Sequence, residues 1–148
     1  MPRQTLSLPT QADTERLARR LADRAAPGLV VLLHGDIGAG KSTLARAFIR
    51  HRLDTPTEDV PSPTFTLVQT YEHSGGDIWH CDLYRIGGPD GVVELGLDAA
   101  MQDGICLIEW PDRLGNLTPP DALNITLEAQ VDRHTATLEG PAKWLDDE

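Results

Sequence analysis

The rhythm of apolar positions changes repeatedly near the start of the chain. Thr5-Leu6-Ser7-Leu8 alternates, which predicts a half-buried edge strand ended by Pro9. Beyond it the period lengthens. Leu17, Ala18, Leu21 and Ala25 share one face of a predicted helix, with arginines and Asp23 on the other. Thr10 stands where a helix cap belongs, with Asp13 three residues on, and Pro27-Gly28 stops the helix. Leu29-Val30-Val31-Leu32-Leu33 does not alternate at all, and such a run predicts a strand covered on both faces.

Helical spacing returns from Ser42 to Leu53, with Leu44, Ala45, Phe48 and Ile49 inward, and residues 54–63 form a loop rich in Pro and Asp. Thr66 to Tyr71 and Asp77 to Cys81 read as strands, and Ser74-Gly75-Gly76 between them predicts an antiparallel hairpin. Val92 to Met101 reads as one helix, and Ile105-Cys106-Leu107-Ile108 as another buried strand. Pro119-Pro120 breaks the chain before a last hairpin, Leu123 to Leu127 with Thr135 to Leu138. These elements predict a three-layer α/β fold with a mixed parallel and antiparallel sheet, in one domain over residues 1–148. Trp144 is expected to pack the last turn, and an acidic tail is expected from about residue 142, with Asp146-Asp147-Glu148 solvated.

Length changes this picture little, since 148 residues suit one core. No apolar run approaches the roughly 18–20 residues of a membrane span, and the N-terminal segment lacks the apolar stretch of a secretory signal, so a cytoplasmic location is expected. Cys81 and Cys106 stand apart in apolar stretches, as buried reduced thiols do. Charge matters more. A formal net charge of −10 repels a phosphate backbone, so any RNA is expected to be held by a partner.

The chemistry begins at Gly35-Asp36-Ile37-Gly38-Ala39-Gly40-Lys41-Ser42, which satisfies G-x-x-x-x-G-K-[ST] between a buried strand and an amphipathic helix. Glycines let successive N–H groups turn onto phosphate oxygens, and the helix start adds unpaired donors and the positive end of its dipole. Lys41 supplies a point charge for the β- and γ-phosphates, and the Ser42 hydroxyl a ligand for Mg2+. Hydrolysis further needs a carboxylate, commonly at the C-terminal end of a neighbouring strand. Glu109 follows Ile105–Ile108 and Asp82 follows Ile78–Cys81, so both qualify. His80 lies within an alternating strand and reads as a hydrogen-bonded core residue, with a catalytic base as the other reading. Trp110, next to Glu109, is placed to shape the site.

Five blocks in order resemble the TsaE (formerly YjeE) family, the ATPase component of the bacterial machinery that makes threonylcarbamoyladenosine in tRNA. They are His34 to Thr43, Ser62-Pro63-Thr64-Phe65-Thr66-Leu67-Val68, His80-Cys81-Asp82-Leu83-Tyr84-Arg85, Glu94-Leu95-Gly96-Leu97 and Cys106-Leu107-Ile108-Glu109-Trp110-Pro111. The resemblance implies a P-loop NTPase fold, with ATP and Mg2+ as cofactors. Nucleotide contacts would come from Asp36, Ile37, Gly38, Ala39, Gly40, Lys41, Ser42 and Thr43, with Ser42 and Glu109 on the metal. It further implies that Asp82 is the essential acidic residue near the γ-phosphate, and that Lys41, Asp82 and Glu109 form the catalytic set. Thr64 would lie in a switch segment that senses the nucleotide, while Asp13, Thr14 and Arg133 would touch the base. Two positions depart from the family pattern. Ser42 replaces the more usual threonine, keeping the hydroxyl, and Cys81 stands where an aromatic residue is usual.

The function implied is that of an ATP-hydrolysing subunit acting on the TsaB–TsaD heterodimer, which transfers the threonylcarbamoyl group to N6 of adenosine 37 in tRNAs reading ANN codons. Hydrolysis is expected to be slow without the partner, and tRNA to be met only through it. The alternatives are a small-molecule kinase, for which residues 111–121 offer only Arg113 toward a lid, a GTPase-like switch, for which an NKxD element is missing, and a non-catalytic nucleotide-sensing scaffold.

Overall fold

The computed structural model describes residues 2–36 and 38–145. Seven strands form one sheet: β1 (Arg3–Leu8), β2 (Val30–His34), β3 (Val68–Tyr71), β4 (Ile78–Asp82), β5 (Ile105–Glu109), β6 (Leu123–Ala129) and β7 (His134–Glu139), in spatial order β1-β7-β6-β2-β5-β4-β3. The middle of the sheet is parallel, with β2 between β6 and β5, and β4 beyond β5. Antiparallel pairs close both ends, β3 on β4 at one side and β6-β7-β1 at the other. The expected mixed sheet, hairpins and edge strand β1 are all present. Individual ends move by a few residues: β3 starts at Val68 rather than Thr66, and β4 runs to Asp82.

Helix α1 (Gln11–Arg24) opens with a capping box. The Asp13 N–H donates to Thr10 Oγ1 at 3.3 Å, and the Asp13 carboxylate accepts from the Thr10 N–H at 2.9 Å and from its hydroxyl at 2.8 Å. Helix α2 (Lys41–Leu53) lies against α1 on one face of the sheet. Together with Val31 and Leu33 of β2 and Ile105 and Leu107 of β5, their inward residues Leu17, Leu21, Leu44, Phe48 and Ile49 make the larger core. The alternate residues Val30, Leu32, Cys106 and Ile108 face a smaller core under α3 (Pro89–Glu94) and α4 (Leu97–Asp103). Every residue from Val30 to Leu33 is at most 3 % exposed, as a strand covered on both faces requires.

One expectation is corrected. Val92 to Met101 is not one helix, because Gly96 adopts φ +78°, ψ 12° and separates α3 from α4. That left-handed conformation comes at no steric cost to glycine, and ends one helix while re-aiming the next. Trp144 packs the last turn, as expected. Ala142–Trp144 form a 3-10 turn, and Trp144 and Leu145 are buried on α1's side of the sheet. Asp146 to Glu148 lie outside the described residues. Among the described residues no helix is long and apolar enough to cross a membrane.

Both cysteines are free and buried. Burial pushes the Cys81 thiol far above its ordinary range, with neighbouring Cys106 adding to the effect, and pushes Cys106 up to about 12. Neither thiol should react with an aromatic disulfide reagent at pH 8 in the native protein, and both should react once it is unfolded in guanidinium. Absorbance of the released thiolate checks this. Replacing Thr10 by Ala should lower stability by about 1 kcal/mol, because it removes the hydroxyl that accepts from the Asp13 N–H and donates to the Asp13 carboxylate, leaving only the backbone half of the box. Urea unfolding followed by circular dichroism measures it.

Candidate nucleotide site

The loop that leaves β2 is held tightly against the sheet. Gly35 has φ +141°, and a Cβ there would come within 2.5 Å of the Leu127 carbonyl oxygen on β6, so a side chain does not fit. Gly38 and Gly40 also have positive φ, +88° and +106°. The N–H of Leu44 donates to the Gly40 carbonyl at 3.0 Å as the helical ladder of α2 begins. The N–H groups of Lys41, Ser42 and Thr43 therefore precede the ladder, and no side chain among the described residues caps the helix. Unpaired donors at the positive end of a helix dipole make a seat for an anion.

Lys41 is only 7 % exposed. Its ammonium donates to the Gly35 carbonyl at 2.6 Å and lies 4.4 Å from the centre of the Trp110 ring. Trp110 has φ +57°, ψ 55°, a left-handed conformation that a bulky side chain rarely takes. That geometry swings the indole away from the line of β5 and over the lysine. Tyr84 completes the stack, its ring centre 5.0 Å from that of Trp110 at a 58° tilt.

The two carboxylates arrive from neighbouring strands. In the parallel β4–β5 pair, Asp82 stands beside Glu109, and both are 5 % exposed. One oxygen of Asp82 accepts the Tyr84 N–H at 2.9 Å, which fixes the turn after β4. Glu109 Oε2 is 2.9 Å from Nε2 of His80, itself 2 % exposed. Thr64 and Ser62 share a hydrogen bond of 2.8 Å on the facing loop. Except for His80, which lies behind Glu109, these groups border one open cleft of about 630 Å3, lined by Gly38, Gly40, Lys41, Ser42, Thr43, Thr64, Asp82 and Glu109 among others. A second hollow of about 320 Å3 shares Gly40, Thr43 and His134 with it and is walled by Thr14 and Arg133.

The structure thus brings together most of the predicted site residues, and three stand apart. Asp13 borders neither hollow; its carboxylate is taken by Thr10 and by Arg16 at 2.8 Å. The Thr10 hydroxyl and N–H hold that carboxyl below the usual 3.8 of an aspartate. Asp36 is exposed and its carbonyl accepts the Ala39 N–H at 3.1 Å, while the Ala39 side chain is 3 % exposed within the core. Ile37 lies outside the described residues. Conversely, His134 was not anticipated, although it borders both hollows. Its place comes from the β6–β7 hairpin, whose second strand begins at His134, one residue before the expected Thr135.

The donors suit a hard divalent cation such as Mg2+. Glu109 keeps Oε1 clear of its bond to His80, and the exposed Ser42 offers a hydroxyl. Among the described residues no group of three His, Cys, Asp or Glu side chains could hold a metal alone. Mg2+ fits that pattern, since it commonly takes one or two protein ligands and completes its shell with phosphate oxygens and water.

Comparison with known proteins agrees with this geometry. The model of the threonylcarbamoyl adenosine biosynthesis protein TsaE family matches residues 8–136. The tRNA threonylcarbamoyladenosine biosynthesis protein TsaE of Rickettsia felis is 40 % identical over 123 residues, covering 83 % of this chain and 71 % of the relative. The protein of the same description from Bacillus subtilis is 35 % identical over 121 residues, covering 81 % and 74 %. The crystal structure of Bacillus subtilis YdiB superposes with a TM-score of 0.75 at 28 % identity, over 94 % of this chain and 86 % of that one. A phosphate loop, two strand-end carboxylates and these matches lead to one assignment: the chain belongs to the TsaE family.

Proposed function

We propose that this protein is an ATP-binding and ATP-hydrolysing subunit of cytoplasmic tRNA threonylcarbamoyladenosine synthesis, acting on the TsaB–TsaD heterodimer that modifies N6 of adenosine 37 in tRNAs reading ANN codons. The observation that carries the reading is the single cleft in which the anion-binding start of α2 faces two buried carboxylates from β4 and β5. The family relationship supports the pathway.

Each residue has a definable task. The N–H groups at the start of α2 bind phosphate oxygens, and Lys41 moves its charge from the Gly35 carbonyl to them. Ser42 and Glu109 hold Mg2+, which neutralises developing charge on the phosphoryl oxygens when bound. Asp82 has one oxygen engaged by Tyr84 and the other available to accept a proton from water. The hollow between Thr14 and Arg133 takes the base. Trp110 and Tyr84 wall the phosphate end.

ATP hydrolysis by the pure protein, alone and with TsaB–TsaD, tests the reading. Rate stimulation by the heterodimer is expected, with Lys41→Ala and Glu109→Gln each lowering the stimulated rate by about 10²-fold or more. Multiple-turnover tRNA modification that proceeds normally with Lys41→Ala would overturn the proposal.

A further inference from the structure

His80 presents a physical puzzle. Its imidazole is 2 % exposed on the face of the sheet that α1 and α2 cover, and it forms one hydrogen bond, to Glu109. The other ring nitrogen, Nδ1, is buried with no partner among the described residues. A buried ring that satisfies one nitrogen and strands the other is a poor source of stability. An apolar residue of similar size, with Glu109 left to water or a cation, would be about as favourable. The residue makes sense through what its single bond fixes.

That bond meets one oxygen of Glu109. The carboxylate oxygen accepts, so Nε2–H donates to Oε2, and Oε1 is left clear of that bond. A glutamate has three rotatable side-chain torsions, and at the end of β5 it shares the cleft with Lys41. Pinned by His80, its carboxylate holds one orientation before any ligand enters. Parallel pairing sets the reach, since His80 stands beside Leu107 and Asp82 beside Glu109, so the histidine approaches the glutamate diagonally from the side away from the phosphate loop.

We infer that His80 is a positioning residue that holds the Glu109 carboxylate ready for the divalent cation accompanying the nucleotide. Its imidazole touches neither cation nor phosphate and acts through Glu109 alone. The inference rests on the proposed nucleotide site and adds to it a named determinant of metal affinity. Hydrogen-bond partners behind metal ligands commonly contribute 10–100-fold to metal binding.

The test compares ADP binding with Mg2+ and with EDTA by isothermal titration calorimetry, which reads the affinity that the cation adds without any turnover. His80→Leu should cut that Mg2+-dependent gain by about tenfold or more while leaving ADP affinity in EDTA unchanged. His80→Gln, whose amide nitrogen reaches the position of Nε2, should recover most of it. A folded His80→Leu protein with the wild-type Mg2+ gain would overturn the inference. A His80→Gln protein as weak as His80→Leu would do the same, since ring packing and not N–H donation would then be the cause. Should His80→Leu fail to fold, His80→Asn replaces it: its shorter amide cannot reach Glu109, and an undiminished Mg2+ gain there is again contrary. Wild-type protein whose ADP affinity ignores Mg2+ would remove the metal-site reading itself, an outcome distinct from failure of the His80 role alone.

Discussion

Parallel pairing of β2, β5 and β4 is the constraint on which the rest depends. Strands that run the same way end on the same edge of the sheet, so whatever follows them is gathered there. Gly35 follows β2, Glu109 ends β5 and Asp82 ends β4. Residues far apart in sequence therefore face one cleft without any long loop to carry them. Rigidity comes with this placement, because Leu33, Ile108 and Cys81, just before these ends, are fully buried. Antiparallel hairpins on both flanks extend the sheet but contribute at its corners, where the β6–β7 turn brings Arg133 and His134 to the second hollow.

The loop is folded upon its own cation. Removing an ammonium from water is costly unless its charge is answered, and here a carbonyl at 2.6 Å and an indole face at 4.4 Å answer it. The indole is available because Trp110 accepts a left-handed backbone, a conformation disfavoured for a bulky residue. Neither partner carries a formal charge. A phosphate is thus a stronger partner for Lys41 than either of the groups it now uses, and the ground state is arranged so that exchange is downhill.

Much of this was legible in the residue pattern, for reasons that are local. The apolar run before Gly35, the alternation of β1 and the Thr10 cap each state their structure within a few residues. So does the Gly-rich loop, whose residue types follow from phosphate geometry. Asp13, three residues after Thr10, is legible in the same way, and the cap takes its carboxylate. What the pattern does not show depends on contacts it does not contain. Gly96 was absorbed into a helix because the apolar spacing on either side continues across it. His134 took its place from the β6–β7 hairpin, one residue before the strand expected at Thr135, and the alternation of β4 showed that His80 points inward without showing that Glu109 waits there.

The pairing of β1 with β7 joins residues 3–8 to residues 134–139. During synthesis β1 therefore leaves the ribosome long before its partner exists. At about 5–20 residues per second, the delay between Leu8 and His134 is roughly 6–25 s. Throughout that interval the backbone donors and acceptors of β1 have no sheet to join. The outer edge accordingly cannot close before β7 has been made, and until then a nascent chain must keep this strand from pairing elsewhere.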